Sequence, residues 1–284
     1  MVIGLFAKTH RTDFSEQFLE VIEWLESKGC EVLADEEVVG KFRLGNLRGV
    51  AGTEIPALAD TLVVFGGDGT MLSVARLVRE HTCPILGVNL GSLGFLTEVT
   101  LDRVYTDLQA LLDGDYRLDS RCLLEANLRS KAGETSTFHA LNDVVINKAA
   151  LARVISVDAY FDGQFIANYV ADGMIVSTPT GSTAYSLSAG GPIIYPSLES
   201  ILVTPICPHT LTHRPLIIPP DYQMRLVLRS GEDVMLTIDG QLGVEFKEGD
   251  EVVCTRSPFR VELIRASERG FFDTLREKLM WAKR

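Results

Sequence analysis

The stretch Thr61 to Leu72, TLVVFGGDGTML, constrains this chain more than any other. An apolar, β-branched run from Thr61 to Phe65 reads as a buried strand, and it breaks into two glycines, an aspartate, a glycine and a threonine. From Met71 onward the spacing turns helical, with Met71, Val74, Ala75 and Val78 on one face. A strand, a tight turn and a helix N-terminus make a ready anion site, because backbone N–H groups and the helix dipole both favour negative charge. Asp68 places one carboxylate in that turn. An ordinary βα turn with Asp68 or Thr70 as N-cap has the same composition, so the motif alone leaves both readings open.

Around this unit the pattern alternates. Val2 to Phe6 reads as a strand, Phe14, Phe18, Val21, Ile22 and Leu25 repeat at helical spacing until Gly29, and Glu31 to Ala34 reads as the next strand. Such alternation predicts βαβ units on a parallel sheet, with ligands at the carboxyl ends of its strands. Asp35 to Leu58, interrupted by Gly40, Gly45, Gly49 and Gly52, reads as irregular. Pro84 to Val88 is a further short strand that runs into NLGSLGFL, a second glycine-bearing loop at a strand end. Thr100 then caps a helix with Leu101, Val104, Leu108, Leu111 and Leu112 facing inward, which Gly114 closes.

From Tyr116 to about Arg265 strand signals dominate. Asp162 and Gly163 join VISVDAYF to QFIANYV as an expected type I′ hairpin, and Met224 to Leu228, Val234 to Ile238, Glu251 to Thr255 and Phe259 to Ile264 read as a meander. Gly270 to Arg284 returns to helix, with Phe271, Phe272, Leu275, Leu279 and Met280 on one face. A lone amphipathic helix must bury that face, so it is expected to return to the first domain. The expected fold class is therefore α/β plus β: a Rossmann-like domain over 1–115 and 266–284, and a β-rich, sandwich-like domain over 116–265.

Composition narrows the partners. A formal net charge of −11 argues against a general nucleic-acid surface, so a phosphate ligand must be met by backbone amides, a metal or a few specific cations. Apolar runs fall far short of the roughly 18 residues that span a bilayer, and MVIGLFAKTH reads as a first strand instead of a leader. A cytoplasmic location without membrane partners is the resulting expectation. Five scattered cysteines without CxxC spacing indicate neither a disulfide framework nor a zinc site, and Pro208 and Pro215 argue against a metal-binding helix carrying His209 and His213.

Ala171 to Pro196, ADGMIVSTPTGSTAYSLSAGGPIIYP, is the second rich stretch. A strand over Met174 to Ser177 feeds a loop crowded with small residues and hydroxyls, where Tyr185 offers a stacking face. The composition suits a flat polar ligand, and equally a capped turn whose hydroxyls satisfy backbone groups.

Taken together, GGDGT, NLGSLGFL, Asn142 and Asp143 in LNDVVINK, and DGMIVSTPTGSTAYSLSAGGPI resemble the NAD kinases of the bacterial type, from about Thr61 to Ile264. GGDGT is shared with lipid kinases, whereas TPTGSTAYSLSAGGP is specific. The resemblance implies transfer of the γ-phosphoryl group of ATP, or in some members of polyphosphate, to the 2′-hydroxyl of the adenosine ribose of NAD. It implies a divalent metal, Mg²⁺ or Mn²⁺, and a homodimer or homotetramer.

Asp68 is then the candidate general base, or the residue that orients the metal, and Gly66, Gly67, Gly69 and Thr70 hold the donor phosphates. By the same resemblance Asn142 contacts the acceptor ribose, while Asp143, Thr183 and Ala184 approach the adenine. Asp172, Tyr185, Ser186, Leu187 and Ser188 surround the dinucleotide, and Arg153 and Gln241 match further positions near it. Val170 is a departure, since many bacterial members carry a basic residue there. Two other readings compete: a lipid or sugar kinase sharing GGDGT, and a non-catalytic dinucleotide sensor that would not need Asp68.

Overall fold

The computed structural model describes residues 1–10, 13–45, 47–91, 93–149, 153–266 and 269–281. The chain forms two compact units, Met1–Ser120 with Val261–Arg284, and Arg121–Arg260.

In the first unit the strands Arg48–Val50, Glu31–Asp35, Val2–Ala7, Thr61–Gly66 and Ile85–Asn89 lie side by side in that order, all parallel. Leu263 of the returning strand pairs with Ile85 and extends the parallel set. Strand order reverses between Val2–Ala7 and Thr61–Gly66, which is the switch point where doubly wound sheets bind ligands. All six residues of Thr61–Gly66 are buried, as a central parallel strand requires. The helix Ser15–Ser27 turns Phe18, Val21, Ile22 and Leu25 inward. Phe18 anchors an aromatic cluster, with ring centroids 4.9 Å from Phe65 and 5.2 Å from Phe42.

Three expectations for this unit change. Asp35 to Leu58 is ordered into a helix Glu36–Phe42, a strand Arg48–Val50 and a short helix Ile55–Leu58. Its glycines hid a two-turn helix whose start is capped by Asp35, which accepts from the Glu37 N–H at 2.9 Å, and whose i, i+4 pair Val38 and Phe42 is buried. The C-terminal helix is shorter than the pattern predicts, Phe271–Lys278, and residues 282–284 of the expected span lie outside the described residues. Because the helix stops after two turns, Met280 falls beyond it at positive φ, and Met280 and Phe272 are exposed while Leu275 is buried. Glu251–Arg265 is one strand where two were expected, carrying Pro258 between its pairing with Met224–Val227 and its pairing with Ile85.

The second unit is antiparallel. One sheet runs Leu216–Ile218, Ile201–Ile206, Gly173–Ser177, Asp143–Lys148, Val234–Ile238, Leu242–Glu245. Strands Gln164–Ala171, Ile155–Phe161, Met224–Ser230 and the start of Glu251–Arg265 lie edge to edge in a second set. Alternate residues build the core: Val144 and Ile146, Met174 and Val176, Ile155 and Val157, Leu226 and Leu228. The hairpin turn forms as expected, with Asp162 and Gly163 both at positive φ. Gly173–Ser177 is buried on both faces: its other face puts Ile175 with Val145 and Ile206 under Ala189 of the serine-rich loop. No described helix is long and apolar enough to cross a membrane.

Candidate active site

The turn after Thr61–Gly66 leads directly into the helix Asp68–Val78. Gly67 is the N-cap and offers no side-chain cap, so neither Asp68 nor Thr70 plays the capping part. Asp68 is the first helical residue, half-buried, and its carboxylate turns toward the loop that follows Ile85–Asn89. There Oδ2 accepts from the Phe95 N–H at 2.9 Å, and Oδ1 accepts from the Leu96 N–H at 3.0 Å and from the Thr97 hydroxyl at 3.3 Å. Gly94 makes this approach possible, because a Cβ there would overlap Asp68 Oδ1. The ring of Phe95 rests on Phe271, centroids 6.2 Å apart, which ties the C-terminal helix to the same loop. Gly66 is buried at the strand end, Gly67 and Thr70 are half-buried, and Gly69 is exposed at the start of the helix.

The second unit contributes a separate constellation. Asp143 opens its strand opposite Ser177, and the loop after Ser177 folds back on the residues before Asp143. The Thr178 hydroxyl donates to the Leu141 carbonyl at 2.5 Å and accepts from the Gly181 N–H at 3.1 Å, while the Thr178 N–H reaches the Asn142 carbonyl at 2.9 Å. A Cβ at Gly181 would overlap the Asn142 carbonyl oxygen, so only glycine allows the two segments to meet. Asp239 fixes the segment from the other side: its carboxylate accepts from the N–H groups of Leu141 at 3.2 Å, Asn142 at 2.7 Å and Asp143 at 3.2 Å. Burial, and then the charge of Asp239, push the Asp143 carboxyl up to about 7.

The expected residues separate into groups. Asn142, Asp143, Thr183 and Ala184 belong to the loop cluster just described, with Tyr185 and Ser188 exposed on its rim and Leu187 half-buried. Two hydroxyls satisfy backbone groups, Ser182 donating to the Pro179 carbonyl and Thr183 to the Thr180 carbonyl, whereas fully buried Ser186 pairs with the Thr204 hydroxyl. Asp172 sits at the opposite end of Gly173–Ser177, roughly 17 Å away at about 3.3 Å per residue. Lys148 lies 3.5 Å from it, so a cation accompanies Asp172 although Val170 carries none. Gln241 is exposed beside the turn at Asp239 and Gly240, and Arg153 is exposed ahead of Ile155–Phe161. His209 is exposed and His213 half-buried, both in a loop.

Thr97, Asn89, Thr178 and Asp239 are the site-forming residues that pattern reading passed over. Thr178 lay inside the flagged TPTGST stretch; Asp239 carried only the DG turn signal.

Comparisons with known proteins agree across the chain. Residues 3–116 match the family model for the ATP-NAD kinase N-terminal domain, and 141–266 the model for the ATP-NAD kinase C-terminal domain. NAD kinase of Geobacter sulfurreducens is 48% identical over 283 residues, 99% of each chain, and that of Solibacter usitatus is 44% identical over 282 residues, 99% of this chain and 98% of the other. Among solved structures, yeast NADH kinase complexed with NADH superposes with a TM-score of 0.93 at 28% identity, covering 100% of this chain and 89% of that one. An NAD kinase from Archaeoglobus fulgidus in complex with ATP shares the fold, with a TM-score of 0.77 at 23% identity and full coverage of both chains. A clamped GGDGT turn and a glycine-pinned TPTGSTAY loop in one chain, matched over nearly its whole length, place this protein in the NAD kinase family.

Proposed function

We propose that this chain transfers the γ-phosphoryl group of ATP to the 2′-hydroxyl of the adenosine ribose of NAD, giving NADP, with Asp68 accepting the hydroxyl proton. The observation that carries this reading is the Asp68 carboxylate: partly open to solvent, at a strand end beside the switch point, and oriented by donors on a neighbouring loop. The attacking hydroxyl must lose its proton as the O–P bond forms, and a fixed carboxylate is suited to take it. Amides of the turn Gly66 to Thr70 hold the donor phosphates. Asn142 binds the acceptor ribose; Asp143, Thr183 and Ala184 meet the adenine; and Asp172, Arg153, Tyr185, Leu187, Ser188 and Gln241 complete the dinucleotide surface, while Ser186, fully buried against Thr204, supports the loop from beneath instead of meeting the ligand as expected. With its carboxyl pushed up to about 7, Asp143 carries a proton in part of the population near neutrality and can donate it to a ring nitrogen.

A divalent metal fits this site only as a companion of the substrate. Among the described residues no three metal-binding side chains converge, and the turn offers one carboxylate. Mg²⁺ binds in this way largely through substrate phosphates, and here its ligands would be the ATP phosphates that the amides of the Gly66 to Thr70 turn hold, which leaves Asp68 to take the proton. When bound, it would neutralise phosphate charge that this turn, without a lysine, leaves unmet.

The chain acts as a homo-oligomer in a cytoplasmic setting. Support for self-association comes from the second unit, where edge strands Gln164–Ala171 and Leu216–Ile218 expose Phe165 and Ile217. The reading is tested by incubating purified protein with NAD, Mg²⁺ and either ATP or polyphosphate and measuring NADP. Formation of NADP with ATP is expected; NAD binding without phosphate transfer from any donor would favour the sensor reading instead.

A further inference from the structure

Asp68 has two oxygens, and the surrounding loop treats them differently. A carboxylate offers about four lone-pair sites, two on each oxygen. Among the described residues Oδ1 receives two donors, the Leu96 N–H at 3.0 Å and the Thr97 hydroxyl at 3.3 Å, whereas Oδ2 receives one, the Phe95 N–H at 2.9 Å.

The direction of the Thr97 hydrogen bond is imposed from behind. Gly91 N–H donates to Asn89 Oδ1 at 2.6 Å, and a backbone N–H can only donate, so the Asn89 amide is oriented with its oxygen there. Asn89 Nδ2 is then the donor that meets Thr97 Oγ1 at 2.7 Å. With its oxygen occupied as an acceptor, the Thr97 hydroxyl turns its proton to Asp68 Oδ1. Asn89 and Thr97 are both buried, so water does not compete with this order. The relay thus runs one way: Gly91 to Asn89 to Thr97 to Asp68.

We infer that Thr97, polarised by Asn89, is a positioning residue that saturates Asp68 Oδ1 and leaves the remaining lone pair of Oδ2 as the single place where Asp68 receives the ribose proton. The inference rests on the reading of Asp68 as the proton acceptor. Thr97 and Asn89 are both buried, so each acts through Asp68.

The test compares Thr97→Val, which keeps shape and removes the hydroxyl, with Thr97→Ser, which keeps the donor. NADP formation is measured for the full chain at saturating NAD and ATP. Thr97→Val is expected to lower kcat about 10- to 100-fold, the scale set by small misplacements of a reacting group, with KM for both substrates within about 3-fold. Thr97→Ser is expected to restore kcat to within about 3-fold of the parent. Equal losses in both variants, a kcat for Thr97→Val within about 2-fold of the parent, or a loss confined to KM would each overturn the inference. Amide hydrogen exchange reads the clamp without turnover: Leu96 exchange should quicken in Thr97→Val and not in Thr97→Ser, and unchanged exchange would contradict the relay. Absence of NADP from the parent protein itself would overturn the kinase reading instead, which keeps the two failures apart.

Discussion

Two aspartates, one in each unit, each accept hydrogen bonds from backbone amides, and they do opposite work. At Asp68 two N–H groups and a hydroxyl orient a carboxylate that is partly open to solvent, so the backbone holds the acid for use. At Asp239 three successive N–H groups converge on a buried carboxylate, so the acid holds the backbone for use. Position decides the difference. A carboxylate at the end of a parallel strand faces the crevice where ligands bind, while one buried in a tight turn can only organise what lies above it.

Breaking the first arrangement should have the largest effect. Asp68→Asn keeps the side chain's shape and one carbonyl-type acceptor for the loop, but removes the proton acceptor. Turnover should fall about 10²- to 10⁴-fold, or roughly 3 to 5 kcal/mol of barrier, while NAD binding measured by calorimetry persists. Breaking the second comes next. Asp239→Ala leaves three N–H groups, two of them buried, without their acceptor, and should cost about 3 kcal/mol of stability in urea unfolding, together with NAD affinity.

A smaller effect is expected at the contact between the two loops of the second unit. Gly181→Ala drives a methyl group into the Asn142 carbonyl, and a loss of about 2 kcal/mol should appear in the same unfolding measurement. The smallest is a change of slope. Asp143 has its folded value raised from 3.8 to about 7, so its contribution to stability is fully present below pH 3.8 and is lost as pH rises through about 7. Asp143→Asn should flatten the decline in stability between pH 4 and pH 7 by up to about 1.4 kcal/mol per pH unit. An unaltered slope would mean that the Asp143 carboxyl is not raised.

The same comparison explains what was legible in the sequence. GGDGT and its flanks could be read because hydrophobic period switches there from strand to helix, and residue identity carries that switch. NLGSLGFL could be seen as a glycine loop at a strand end. Its part in holding Asp68 could not, since two of the three donors are backbone N–H groups that any residue possesses, and the contact spans 27 to 29 positions. Asp239 was hidden for the same reason over 96 to 98 positions. The helix Glu36–Phe42 was missed because its apolar periodicity is confined to Val38, Val39 and Phe42, with Gly40 between. Close approach left a better trace: glycines at 94 and 181 stood in the flagged stretches, and each marks a place where backbone meets a site residue.

Steady-state kinetics of Asp68→Asn and Asp239→Asn, measured side by side with NAD as the varied substrate, test the contrast most directly. Asp68→Asn should lose at least about 100-fold in kcat with KM for NAD within about 3-fold, as expected for a group that acts only in the reacting complex. Asp239→Asn should raise KM for NAD by about 10-fold or more while kcat stays within about 3-fold, as expected for a group that shapes the binding loop. The same pattern in both variants, or a kcat retained by Asp68→Asn, would contradict the division of labour between the two aspartates.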